Sequence, residues 1–170
     1  MAAKKYLRNL LGRITEVAAV VTSAGAANDG DLVALDATGK LDASVMPSGF
    51  GQNTASIQAS EALSAGDLVN IHNSTGARVR KADATSAGKE THGFVLAAVA
   101  NGATATVYLT GNRITGLSGM TPGARQYLAT TAGARTETAP SGSGNILQMV
   151  GIAIDATTLA FEPEEPITLA

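Results

Sequence analysis

A chain of 170 residues with only 15% charged and 4% aromatic side chains has room for one domain plus an arm, or for two very small domains, and its core must be built largely from Val, Ile, Leu and Ala. A formal charge of −2 gives no general attraction to nucleic acid or acidic membranes. The absence of cysteine excludes disulfides, zinc–thiolate sites and thiol nucleophiles.

Residues 4–21 place Leu7, Leu10, Leu11, Ile14, Val17 and Val21 at helical spacing, with Lys4, Lys5, Arg8 and Arg13 mostly opposite. The spacing predicts an amphipathic helix, either packed on its own domain or serving as a docking arm; from Val17 onward a strand reads equally well. Arg13 and Glu16 interrupt the apolar stretch, so it is read as neither a secretion signal nor a membrane span. Asn28-Asp29-Gly30 predicts a turn, Leu32–Leu35 a short strand, and Asp36–Lys40 the turn closing a first hairpin toward Leu41. Pro47 ends that segment, and Ser48–Thr54 reads as a linker whose single Phe50 is placed to anchor in an apolar notch. The expected division is therefore 1–53, an arm with a first hairpin, and 54–170, a β-domain.

In the second segment, Gly66–Gly76 (GDLVNIHNSTG) and Gly123–Gly133 (GARQYLATTAG) align without a gap, and both continue Gly-Ala-Arg. Gly30–Gly39 is a truncated version. Each unit predicts a β-hairpin bounded by turn glycines. A second glycine then opens an apolar run, Gly93–Val99 after one hairpin and Gly151–Ala156 after the other, and a further strand follows at 105–109 and 158–161. Gly93–Val99 reads as a buried strand, and Asn101-Gly102 as a tight turn into Thr104–Leu109. The expected fold class is mainly β: an N-terminal arm or short helix, then a compact barrel-like or sandwich-like domain with internally duplicated hairpin units.

Signatures of catalysis are missing. Thr38-Gly39-Lys40-Leu41 lacks the leading glycine and trailing hydroxyl of a phosphate loop, and no GxSxG elbow occurs. His72 and His92, without cysteines, make a poor metal set. Asn28, Asp29, Asp31 and Asp36 lack calcium-loop spacing and read as turn caps. No catalytic, cofactor or metal residue is assigned, and the chain reads as a non-enzyme.

The run Gly30–Pro47 (GDLVALDATGKLDASVMP), with Gly66-Asp67-Leu68-Val69, Gly93-Phe94-Val95-Leu96 and Gly116–Gly123 (GLSGMTPG), resembles a family of tailed-bacteriophage virion proteins: capsid decoration (cement) proteins and head or tail fibre segments. The resemblance covers nearly the whole chain. It implies a non-enzymatic β-module, most often trimeric, synthesised in the host cytoplasm and fixed to the exterior of the virion. Its expected partners are the major capsid protein of a phage head and further copies of itself, with no cofactor, nucleic acid or membrane. Expected capsid contacts are Lys4, Lys5, Leu7, Arg8, Leu11, Arg13, Ile14 and Phe50. A tail-fibre or baseplate connector is the alternative from the same resemblance, and a carbohydrate-binding module stands further off, with no Trp and three Tyr for sugar stacking.

Overall fold

The computed structural model describes residues 4–46 and 51–170. The chain is mainly β and divides into two compact units, Met1–Gly51 and Gln52–Ala170.

The first unit starts with an antiparallel hairpin, β1 (Lys5–Leu10) and β2 (Arg13–Ala18). The helix expected over 4–21 is not formed. Leu11 and Gly12 both take positive φ, 52° and 81°, and this pair makes the two-residue turn that matches strand twist. Ile14, Thr15 and Val17 are β-branched and disfavour a helix at χ1. The leucine spacing that mimics a helix arises because two strands are read across their turn. Beyond β2, Val20 bridges Val33 in parallel, and single-turn 3-10 helices occupy Gly25–Asn28 and Ala43–Val45. The turn at Asp36 forms, its Oδ1 accepting from Thr38 N at 2.7 Å and Lys40 N at 2.9 Å. The expected hairpin from Leu32 to Leu41 does not form. Asp42 accepts from Ser44 N at 2.9 Å and starts a helical turn where the return strand would run.

The second unit contains β3 (Thr54–Ala59), β4 (Leu68–Asn73), β5 (Ala77–Lys81), β6 (Gly93–Phe94) and β7 (Thr104–Tyr108). These close a barrel in the order β3-β5-β4-β6-β7; the pairing β3–β5 is parallel and the others are antiparallel. β8 (Arg113–Ile114), β9 (Arg125–Leu128), β10 (Arg135–Thr136), β12 (Met149–Ala153) and β13 (Leu159–Phe161) form an open sheet in the order β10-β9-β12-β13-β8. β11 (Ile146–Leu147) pairs with β14 (Ile167–Thr168) alongside.

Both expected hairpins are present, as β4–β5 and β9–β10. The Asn101-Gly102 turn also forms, with Ala103 N bonding Ala100 O at 3.1 Å just before β7. The expected strand over 93–99 needs correction: only Gly93 and Phe94 are strand, and Val99 instead bridges Leu63, so the turn does not join two laddered strands. Val95 N bonds Asp67 O at 3.1 Å, and the run leaves the ladder there to cross the barrel end.

Small side chains fill the barrel: Ala59, Leu63, Val69, Val79, Val95, Ala105 and Val107. A second cluster, including Leu68, Phe94, Ile114, Leu128, Val150, Leu159 and Phe161, joins the barrel to the open sheet. Phe94 sits at that seam, stacked on Tyr108 at 5.3 Å and edge-on to Phe161 at 5.1 Å. Glycine is required where strands approach closely. A Cβ on Gly93 would stand 2.6 Å from the carbonyl oxygen of Tyr108, and one on Gly151 would collide with that of Ala160.

Candidate interaction surface

Alternation along the β1–β2 hairpin sorts its side chains onto two faces. Tyr6, Arg8 and Val17 are half-buried on one of them. That face turns toward the unit's own loop: Tyr6 Oη donates to Asp31 Oδ1 at 3.4 Å, and Arg8 lies 3.8 Å from the same carboxylate. The opposite face carries Lys5, Leu7, Ile14 and Glu16, with an ion pair between Lys5 and Glu16. Leu7 faces Glu16 across the ladder and Ile14 lies two residues on, so the two apolar side chains are diagonal neighbours. They are 72% and 73% exposed, and Leu11 at the tip is 99% exposed.

Of the expected contact residues, Lys5, Leu7 and Ile14 thus share one open face, with Leu11 at its end. Arg8 belongs to the other face. Lys4 precedes the strand, and its Nζ donates to Leu35 O at 2.7 Å. Arg13 is exposed beside the turn. Phe50 lies outside the described residues.

The sequence reading missed a further group in this unit: Val21, Leu32, Val33, Leu35 and Leu41 are also exposed. Among the described residues of the unit, Ala34 is the one buried hydrophobic side chain. The missed signal was local. Leu32-Val33-Ala34-Leu35 has no polar alternation, and with one ladder bridge to Val20 it has no second layer to cover both faces.

Charge is also divided within the unit. The hairpin carries Lys4, Lys5, Arg8 and Arg13 against Glu16, whereas residues 29–42 carry Asp29, Asp31, Asp36 and Asp42 against Lys40. Asp31 faces Tyr6 and Arg8 of the hairpin, whereas Asp36 and Asp42 act locally. The Lys40 N–H, then the Thr38 hydroxyl, hold the Asp36 carboxyl below the usual range, and the Ser44 hydroxyl and N–H do the same for Asp42.

In the second unit, Ser60 Oγ and His72 Nε2 stand 2.9 Å apart, but Ser60 Oγ also reaches Val79 O at 3.1 Å. A hydroxyl donating its one proton to that carbonyl accepts from His72 and is not activated by it. An open cleft of about 640 Å³ has Glu90, His92, Gln148 and Glu164 in its lining. Two of its polar groups are engaged by the chain itself: His92 Nδ1 accepts from Ile71 N at 3.0 Å, and Gln148 binds Thr91 N, Thr91 O and Glu164 O. The chain matches no protein-family model and no curated protein sequence.

Proposed function

We propose that this protein is a bacteriophage virion structural protein, a trimeric capsid decoration protein that grips the exterior of an assembled head through its first unit. The observation carrying this reading is the distribution of exposed apolar side chains. Leu7, Leu11, Ile14, Val21, Leu32, Val33, Leu35 and Leu41 lie in the first unit, against Ile152, Ile154 and Ile167 in the second. Ordering backbone costs about 1–2 kcal/mol per residue, and a segment near 50 residues whose described part buries one hydrophobic side chain, Ala34, recovers little of that alone. Covering this surface with a shell protein supplies the missing burial, at roughly 800 Å² per partner for a specific contact.

The apolar face around Leu7 and Ile14, with the Lys5–Glu16 ion pair beside them, is the part that touches the major capsid protein. Many copies on a closed lattice then hold subunit junctions together through avidity, with no chemical step. The second unit is the part that self-associates and faces solvent. Its two sheets support a reading as two copies of one ancestral unit, because β5-β4-β6-β7-β3 and β10-β9-β12-β13-β8 follow the same order of equivalent strands.

The test is the variant Leu7→Ser/Leu11→Ser/Ile14→Ser, assayed by co-sedimentation with expanded heads. The expected outcome is an unchanged oligomer with head binding reduced about a hundredfold or more. Full binding by the variant overturns the assignment of this face. Co-purification of the wild-type chain with tails and not heads moves the protein to the tail-connector class.

A further inference from the structure

The register of the open sheet aligns Arg113, Ala160, Ile152 and Arg125 in one row across β8, β13, β12 and β9. Their neighbours in sequence, Ile114, Leu159, Phe161, Gly151, Ala153 and Gln126, are buried against the core, so this row is the outer face. Ile152 and Ile154 stand 46% and 45% exposed on it. Both arginines are exposed, and neither forms an ion pair or side-chain hydrogen bond among the described residues. An apolar strip flanked by free arginines has the composition of an interface centre.

A complementary feature stands on the same unit. Glu162-Pro163-Glu164-Glu165-Pro166-Ile167 is an extended ledge, pinned by Glu162 N to Val150 O at 3.1 Å and Glu164 N to Met149 O at 2.9 Å. Its backbone is fixed, yet Glu162, Glu164 and Glu165 are exposed and form no ion pair among the described residues. Ile167 is 59% exposed. The two arginines are three strand spacings apart, about 14 Å, and the three carboxylates span about 10 Å of extended chain. Arginine side chains cover the difference.

We propose that the Arg113–Ile152–Arg125 face of one copy docks on the Glu162–Ile167 ledge of a second copy. Arginines meet carboxylates at the rim, and Ile152 and Ile154 cover Ile167. The inference rests on the self-association part of the proposed function and names its surface. The ledge continues β13 directly beyond Phe161, so face and ledge are contributed by different residues of one copy, and a closed symmetric assembly satisfies both. A net charge near zero leaves little overall repulsion between copies.

Three full-length chains test this by light scattering and sedimentation: Arg113→Glu/Arg125→Glu, Glu162→Arg/Glu164→Arg/Glu165→Arg, and the chain with all five reversals. All substituted positions are exposed, and thermal melting checks that each chain folds. The first two are expected to weaken self-association about a hundredfold or more. The five-fold reversal is expected to restore it. A wild-type chain that is monomeric, a folded first or second variant that keeps the wild-type mass, or a folded five-fold variant that stays monomeric each overturns the inference. Head binding is read separately: variants behaving as expected while wild type ignores heads leave this interface standing and sink the decoration role.

Discussion

Gly151 shows how far a single residue is constrained by its neighbours. It has φ 145°, and the space a side chain needs is taken by the Ala160 backbone of β13, which has no rotamer to yield. Gly151→Ala is therefore expected to lower unfolding free energy by about 3 kcal/mol or more, measured by urea denaturation. Titration belongs to the same scale. Burial, then the charge of Arg80, lowers the pKa of His72 against an opposing pull from Glu61. Burial raises that of Asp83, but the Thr85 hydroxyl and N–H together with Lys89 outweigh it and leave the carboxyl below its ordinary value. Both groups bind protons less readily when folded, so each contributes stability above its unfolded pKa that is lost as pH falls. The urea midpoint should stay level above about pH 7, decline below about pH 6.5, and fall further below about pH 4. His72→Gln should flatten the first decline; an unchanged slope there would remove His72 as its source.

Among the elements, the hairpins β4–β5 and β9–β10 were legible because turn glycines bracket each one, Gly66 and Gly76 for the first and Gly123 and Gly133 for the second. The hairpin β1–β2 was not. Its turn is Leu11-Gly12, with no Asn or Asp in the left-handed position, and neither strand alternates cleanly because neither face lies on a core. Leu11 breaks a local rule twice, holding φ 52° while 99% exposed. Such a violation fits a side chain kept for contact with something else. Leu11→Asn is expected to stabilise the hairpin by about 0.5–1 kcal/mol and to weaken head binding, measured by denaturation and co-sedimentation on the same samples. Likewise the 93–99 run misled because apolarity marks burial and not pairing: Val95 is buried at the barrel end outside any ladder.

At the scale of the whole molecule, both hydrophobic clusters fall between Ala59 and Phe161, inside the second unit. A chain of residues 52–170 should therefore fold cooperatively with a melting temperature within about 5 °C of the full protein. Broad, non-cooperative melting would show that the first unit contributes structure to it. The β class and the small-residue core were readable from composition. The barrel's closure was not, since the parallel pairing of β3 with β5 joins segments whose sequences carry no mark of each other.

That closure also determines how the second unit would respond to a pull. The second unit begins at the start of β3, and β3 is laddered on one side to β7 and on the other to β5. A pull applied along this strand's axis strains two sets of hydrogen bonds together, in shear, where peeling an edge strand would break them one after another. A seam of that kind resists rupture best along its own length.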